Sequence, residues 1–152
     1  ENPVVIRTPG CLPVSLAYPT EKAIEKNKFE MTHKGSRFAI LGLGNFLKLA
    51  EDVAAAFGKE GYDPTIINPR FISGLDEEML DSLMEDHDTI ITLEDGIVSG
   101  GFGEKIARFY GAKPVRVFTF GAEKEFTDRV PAEKLYERYL LNAEQIVKKI
   151  LG

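Results

Sequence analysis

The chain of 152 residues is 43% hydrophobic and 28% charged, an ordinary balance for a single globular domain that buries its own core. A net charge of −5 disfavours nucleic acid as the main partner, because phosphate contacts need a basic face. The single cysteine, Cys11, excludes an internal disulfide, and no apolar run reaches the roughly 18 residues of a membrane span, so we expect a cytoplasmic protein without membrane contact.

The first 27 residues are predicted to precede the main domain rather than to join it. Residues 4–6 are a β-branched run that looks like a last strand without a sheet of its own. Prolines and few periodic apolar positions predict an extended linker over residues 10–27. The chain starts at Glu1 without an initiator Met or a signal-peptide pattern, so we expect it to be part of a longer protein.

Two strands and a helix are predicted next. Residues 28–32 alternate weakly between apolar and polar side chains, and residues 37–43 are strongly apolar. With the turn between them, these segments predict a hairpin whose first strand lies at a sheet edge. Apolar side chains then recur at helical spacing from Phe46 to Phe57, and Gly58 ends that helix.

A second strand and helix follow at short spacing. The β-branched run at 65–67 predicts a strand. Either Ser73 or Asp76 is expected to cap the helix after it, because both side chains accept hydrogen bonds from backbone N–H groups at helix starts.

The segment from Thr89 to Tyr110 contains the most distinctive pattern of the chain. Residues 89–93 are apolar and β-branched and predict a buried strand. An acidic loop is predicted at 94–96, and the glycine-rich residues 99–103 are predicted to open a helix. Loops after the carboxyl ends of parallel strands are where α/β proteins build their sites.

A last strand and two helices complete the pattern. Residues 115–120 predict a strand, which Arg116 and Thr119 place near a sheet edge because they interrupt its apolar run. Pro131 begins one helix and Asn142 caps another. The alternation predicts an α/β fold of three layers, α/β/α, with a mostly parallel five-stranded sheet and one antiparallel edge strand.

Gly42-x-Gly44 follows a strand, as in the start of a dinucleotide-binding fingerprint. The third glycine of that fingerprint is replaced by Leu47, and Asn68 stands where an acidic residue is required. We therefore interpret the small residues as a way to pack the following helix close to the strand.

Gly100, Gly101 and Gly103 permit two interpretations. Free N–H groups at a helix start can hold an anion. The neighbouring Glu94 and Asp95 would repel a phosphate, however, so we favour close approach of the backbone to another domain or subunit. The two acidic side chains themselves are expected to lie in a solvated loop.

The remaining polar candidates do not form a catalytic set. Arg70 follows a predicted strand, where it can cross an interface, bind a carboxylate or simply face solvent. His33 and His87 lack companions at metal-ligand spacing, and Cys11 lies in the predicted linker. The sequence therefore predicts no metal site and no catalytic residue in this chain.

Four segments, in order, are similar to one known family. They are residues 38–44 (FAILGLG), 67–77 (INPRFISGLDE, with Gly74 at a usual proline), 92–103 (TLEDGIVSGGFG) and the tail 126–150. The chain resembles the C-terminal domain of the transketolase-like thiamine diphosphate enzymes, and within them the 1-deoxy-D-xylulose-5-phosphate synthases. This resemblance covers nearly all of residues 28–152.

The resemblance extends to the segment before the main domain. Residues 6–10 (IRTPG) are similar to the end of the family's pyrimidine-binding domain, which implies a boundary between residues 1–27 and 28–152. In the family, arginines of this region hold the phosphate of the acceptor sugar. The resemblance implies that role for Arg7, while Gly10 stands where the family has a second arginine.

The resemblance implies a parent enzyme that uses thiamine diphosphate and Mg²⁺ to condense pyruvate with glyceraldehyde 3-phosphate, releasing carbon dioxide. The family's diphosphate motif and its activating glutamate are absent here, which implies that this chain alone binds no cofactor and is inactive. Its implied role is to pack against the upstream domains and support a homodimer. The residues implied at that interface are Arg70, Glu94, Gly100, Gly101 and Gly103.

Two other interpretations stay open. The first is the C-terminal part of a 2-oxoacid dehydrogenase β-subunit or of a split transketolase, which share this domain. The second is a free-standing module that binds a small anion or a partner protein.

Overall fold

The computed structural model describes residues 3–5 and 24–152. Within them, strands and helices follow one another in the predicted order. The strands are β1 (Glu30–His33), β2 (Arg37–Gly42), β3 (Thr65–Asn68), β4 (His87–Ile97) and β5 (Arg116–Ala122). The helices are α1 (Phe46–Lys59), α2 (Glu77–Leu83), α3 (Phe102–Tyr110), α4 (Ala132–Arg138) and α5 (Ala143–Leu151).

The strands form one mixed sheet in the order β1-β3-β2-β4-β5. β1 pairs antiparallel with β3, and the other neighbouring strands are parallel. Side chains of α1 and α5 form the core on one face of the sheet, and those of α2 and α3 form the core on the other. The predicted three-layer fold with an antiparallel edge strand is therefore confirmed, as is the edge position of β5.

The predicted hairpin between β1 and β2 is wrong, because β3 lies between them. The turn after β1 binds the chain that leads into β3 instead of folding back onto β2. Gly35 N donates to Thr65 Oγ1 at 2.9 Å, and Ser36 N donates to Asp63 O at 2.8 Å. These bonds hold the turn against the segment that leads into β3, and β2 then begins on the far side of β3.

Close packing of α1 on β2 explains Gly42. A Cβ atom at this position would lie 2.7 Å from Leu47 Cα and 2.9 Å from Ala50 Cβ, closer than such atoms can approach. The interpretation of Gly42 as a packing residue, rather than as part of a dinucleotide site, agrees with this geometry.

Asp76, and not Ser73, caps α2. Its carboxylate accepts hydrogen bonds from Met79 N at 3.3 Å and from Phe29 N at 2.9 Å, and Lys28 Nζ lies 3.2 Å away. The side chain is buried. One carboxylate therefore fixes both the start of a helix and the segment that enters β1.

Val4 and Val5 are exposed and belong to no strand, so the strand predicted at 4–6 is absent from the described part of this segment. Arg7, Cys11 and most of the predicted linker lie outside the described residues. Among the helices of residues 24–152, none is long and apolar enough to cross a membrane.

Replacement of Asp76 by Ala is expected to lower the free energy of unfolding by about 2–4 kcal/mol, because it removes a helix cap and a buried charged acceptor. Urea unfolding of the two proteins measures the difference. Glu77→Ala is the matched control, since Glu77 is an exposed carboxylate in the same helical turn. Equal losses in the two variants would contradict this account of Asp76.

Candidate functional site

The carboxyl ends of β2 and β4 and the start of α3 meet at one edge of the sheet. Leu43 N donates to Leu93 O at 2.9 Å, which continues the pairing of β2 and β4 beyond Gly42. Asn45 Nδ2 donates to Asp95 Oδ2 at 3.2 Å across the same gap. This edge is the position at which open α/β sheets place their ligands.

The predicted acidic loop at 94–96 is wrong, since β4 continues to Ile97. The exposed fraction of Glu94 is 3%, so this residue is not in a solvated loop. Its two carboxylate oxygens accept hydrogen bonds from Phe102 N at 2.9 Å and Gly103 N at 2.8 Å. A buried carboxylate is stable here because it faces the positive end of the α3 dipole and two otherwise unpaired donors.

Four backbone N–H groups at the start of α3 have acceptors within the chain. Besides the two bound by Glu94, Gly100 N donates to Glu104 Oε2 at 2.8 Å, and Gly101 N donates to Val98 O at 2.9 Å. An external phosphate would find none of these donors free. The anion that this glycine-rich start holds is the protein's own glutamate.

Two of the three glycines have internal reasons to lack a side chain. A Cβ atom at Gly101 would collide with the Glu94 carboxylate, and one at Gly103 would lie 2.6 Å from Thr92 Oγ1. Gly100 instead has a φ of +76° and open space around its Cα. A role for these glycines at a domain interface stays a prediction.

Arg70 binds a carboxylate of this chain. Its Nη2 atom lies 2.6 Å from Glu30 Oε2 on the neighbouring edge strand, in an ion pair without hydrogen-bond geometry. Only 14% of the Arg70 side chain is exposed, and its φ of +59° is unusual for a residue with a Cβ atom. Since β2 separates β3 from β4, Arg70 and Glu94 belong to different parts of this edge.

A groove of about 640 Å³ lies beside β1, and both cationic side chains that line it pair with carboxylates. Lys28 bridges Asp76 and Glu78, while Arg70 pairs with Glu30. The hydrogen bonds that Lys28 donates to Glu78 and Asp76 raise the pKa of Lys28. The groove thus has no cation left over that would select an anionic ligand.

Both histidines have structural partners. His87 is buried, with Nδ1 2.8 Å from Leu83 O and Nε2 2.7 Å from Thr65 Oγ1. His33 Nε2 lies 2.7 Å from Asp63 Oδ1 at the surface. Among the residues that the structure describes, no three His, Cys, Asp or Glu side chains lie close enough together to hold a metal ion.

A cluster that the sequence pattern did not indicate anchors the loop after β5. Arg138 Nη1 lies 2.9 Å from Glu125 Oε1, and the Tyr139 hydroxyl donates to the same carboxylate. The Tyr139 hydrogen bond, followed by Arg138, lowers the pKa of Glu125. These partners lie 13 and 14 positions apart in the sequence, so no local motif identifies them.

A comparison with protein families matches residues 27–146 to the model described as "Transketolase, C-terminal domain". The 1-deoxy-D-xylulose-5-phosphate synthase of Acidobacterium capsulatum is 31% identical over 99% of this chain, and the alignment covers 24% of that protein. For the enzyme of the same name from Clostridium tetani, the identity is 28% and the shares are 99% and 25%. The chain thus spans about a quarter of the curated relatives that it matches.

Solved structures share the fold. A protein described as "Split gene transketolase, inactive beta4 tetramer" matches with a TM-score of 0.79 and 23% identity, over 89% of this chain and 45% of that one. The transketolase of Campylobacter jejuni matches with a TM-score of 0.57 and 18% identity, over 83% and 18%. At these identities, the likeness concerns the fold alone.

Replacement of Glu94 by Gln is expected to lower the free energy of unfolding by about 2–4 kcal/mol, because an amide NH₂ then faces a buried N–H donor and the charge at the α3 dipole is lost. Urea unfolding measures the loss. Asp95→Asn is the matched control, since Asp95 is adjacent but exposed. A Glu94→Gln variant as stable as the control would refute the cap.

Stability is also expected to depend on pH through Glu125. Because its pKa is lower in the folded state, the ionised carboxylate stabilises the fold above its unfolded pKa, and this contribution disappears as the pH falls through the folded pKa. The difference in Tm between the unsubstituted chain and Glu125→Gln should therefore be largest near neutral pH and shrink below about pH 4. Glu123→Gln serves as the control, and a pH-independent difference would contradict the mechanism.

Proposed function

The chain belongs to the transketolase C-terminal domain family, and from this membership we propose that it is the C-terminal domain of a thiamine diphosphate-dependent enzyme of the 1-deoxy-D-xylulose-5-phosphate synthase type. The observation that carries the proposal is the alignment of 99% of the chain with synthases at about 30% identity. The parent enzyme would condense pyruvate with glyceraldehyde 3-phosphate and release carbon dioxide.

The segments that resemble the family form the structural skeleton of the domain. They contain the close contact at Gly42, the cap at Asp76 and the carboxylate of Glu94. None of these side chains is left free to act on a substrate. The motifs thus support a domain whose shared features serve folding and assembly, with the reaction carried out elsewhere in the parent.

The described residues do not fit the cofactor. The N–H groups at the start of α3, the best place for a diphosphate, already bind Glu94, Glu104 and Val98. Residues 24–152 also offer no cluster of acidic and histidine ligands for Mg²⁺. In our proposal thiamine diphosphate, which supplies the electron sink for decarboxylation, and Mg²⁺ are bound by the upstream domains, and this chain alone is inactive.

The proposed role of residues 28–152 is to pack against the upstream domains of the same polypeptide and to support a homodimer in the cytoplasm. Residues 1–27 would be the end of the pyrimidine-binding domain and a linker. Arg7 would contact the phosphate of the acceptor sugar from that segment. Arg70, Glu94, Gly100, Gly101 and Gly103 are the interface residues that the family resemblance suggests.

A split transketolase is the second candidate. The fold match with a split-gene transketolase chain, at a TM-score of 0.79, supports it. A 2-oxoacid dehydrogenase β-subunit would have a similar domain. The free-standing anion-binding module has less support, since the glycine-rich start of α3 binds the protein's own carboxylate.

The full-length parent is expected to form 1-deoxy-D-xylulose 5-phosphate and carbon dioxide from pyruvate and glyceraldehyde 3-phosphate, with thiamine diphosphate and Mg²⁺ present. The chain of 152 residues should show neither product. Its Tm should also stay unchanged when the cofactor and Mg²⁺ are added, whereas that of the parent should rise, because a ligand that binds the native state stabilises it.

The outcomes separate the candidates. A Tm increase of the isolated chain with the cofactor would refute the claim that its site lies upstream. A parent that transfers a two-carbon unit between sugars, or that needs a second subunit for activity, would favour the split transketolase or the dehydrogenase over the synthase.

A further inference from the structure

Large apolar side chains stand exposed at the carboxyl end of the sheet. Ile72 follows β3, Ile97 ends β4, and Phe126 follows β5. The exposed fractions are 54% for Ile72 and 44% for Ile97, and Phe126 is fully exposed. Burial of such side chains by a partner is energetically favourable, and a group of them indicates an interaction site.

Contacts link the segments that carry these three side chains, and we call the region that they share the strand-end surface. Ile97 pairs with Ala122 of β5 and lines the same cavity of about 210 Å³ as Thr127, the neighbour of Phe126. On the other side, a Cβ atom at Gly101 would lie 2.6 Å from Ile97 O, so the start of α3 adjoins Ile97. In the first turn of α3, Lys105 Nζ donates to Ile72 O at 2.7 Å.

The backbone that presents these side chains is held in place. Glu125, next to Phe126, bonds Tyr139 and Arg138 of the α4 end. Val98, next to Ile97, donates its N–H to Ala122 O at 3.0 Å. A partner would therefore meet a surface that is already organised, which reduces the entropy lost on docking.

Charged pairs lie at the opposite end of the sheet. There Arg37 Nε lies 3.8 Å from Asp88 Oδ2, and His33 pairs with Asp63. The groove beside β1 is lined by paired charges as well. The strand-end surface differs from these charged regions in carrying large exposed apolar side chains, which suit the core of an interface.

We propose that the strand-end surface, centred on Ile72, Ile97 and Phe126, docks onto the upstream part of the same polypeptide. This inference rests on the proposed function. The occupant follows from length, because the chain is about a quarter of its synthase relatives and the other three quarters need a packing surface on this domain. The apolar trio, rather than the glycines at the start of α3, supplies the buried contact.

Cysteine labelling of the full-length parent tests the surface. Ile72→Cys, Ile97→Cys and Phe126→Cys are made in a Cys11→Ser background, with Lys59→Cys as the matched control. Lys59 is exposed at the end of α1, which lies at the other end of the sheet. Mass spectrometry of the modified peptides then gives the maleimide reaction rate at each position.

The three cysteines are expected to react at least ~10-fold more slowly than Cys at position 59 in the native enzyme, and equally fast in denaturant. Rates within about twofold of the control would overturn the proposal. Hydroxyl-radical footprinting of the unsubstituted enzyme gives the same answer without substitutions: oxidation of Phe126 as slow as that of a core residue supports docking, and oxidation as fast as at exposed Leu151 overturns it.

Dilution identifies the occupant. Protection that persists when the enzyme is diluted to monomers supports docking within one polypeptide, whereas protection lost on dilution assigns the surface to a second copy and overturns the stated occupant. Synthase activity is measured separately. Slow labelling in a protein without that activity would keep the surface and remove the proposed function, and fast labelling in an active synthase would do the reverse.

Discussion

The carboxylate of Glu94 organises the carboxyl end of the sheet. The hydrogen bonds that it accepts from Phe102 N and Gly103 N join the end of β4 directly to the start of α3. The carboxylate leaves no room for a side chain at Gly101. The N–H groups that could bind an external anion at this helix start instead form an internal clasp with Glu94. Ile97 lies between the two ends of this clasp, so the shape of the strand-end surface depends on it as well.

Local patterns were sufficient to predict the order of the elements, the mixed sheet and its antiparallel edge strand. They were insufficient for the neighbour of β1, because strand pairing depends on contacts distant in sequence. Gly35 and Ser36 bind the approach to β3, and no periodicity in residues 28–43 reports those bonds. The caps at Asp76 (one of two candidates) and Asn142 were predictable, because a cap side chain and the backbone N–H that donates to it lie three residues apart.

The sequence was less informative about the site. Glu94 next to Asp95 is typical of a solvated acidic turn, and only the position of α3 makes one of the pair a buried acceptor and leaves the other outside. Arg70 pairs with Glu30 of the edge strand β1, and the predicted hairpin placed that strand wrongly. Exposed apolar residues such as Phe126 carry no signal in the sequence, because exposure depends on which segments come to lie beside them.

The position of β1 has a consequence for synthesis. A ribosome makes β1 before β2, α1 and β3, yet β1 pairs only with β3. During translation of a longer parent, this strand must wait unpaired, attached to whatever precedes it, until its partner has emerged. Its short length and the charge of Glu30 protect an unpaired strand from joining the wrong sheet edge. The first strand made in this domain therefore pairs only after β2, α1 and β3 have been made.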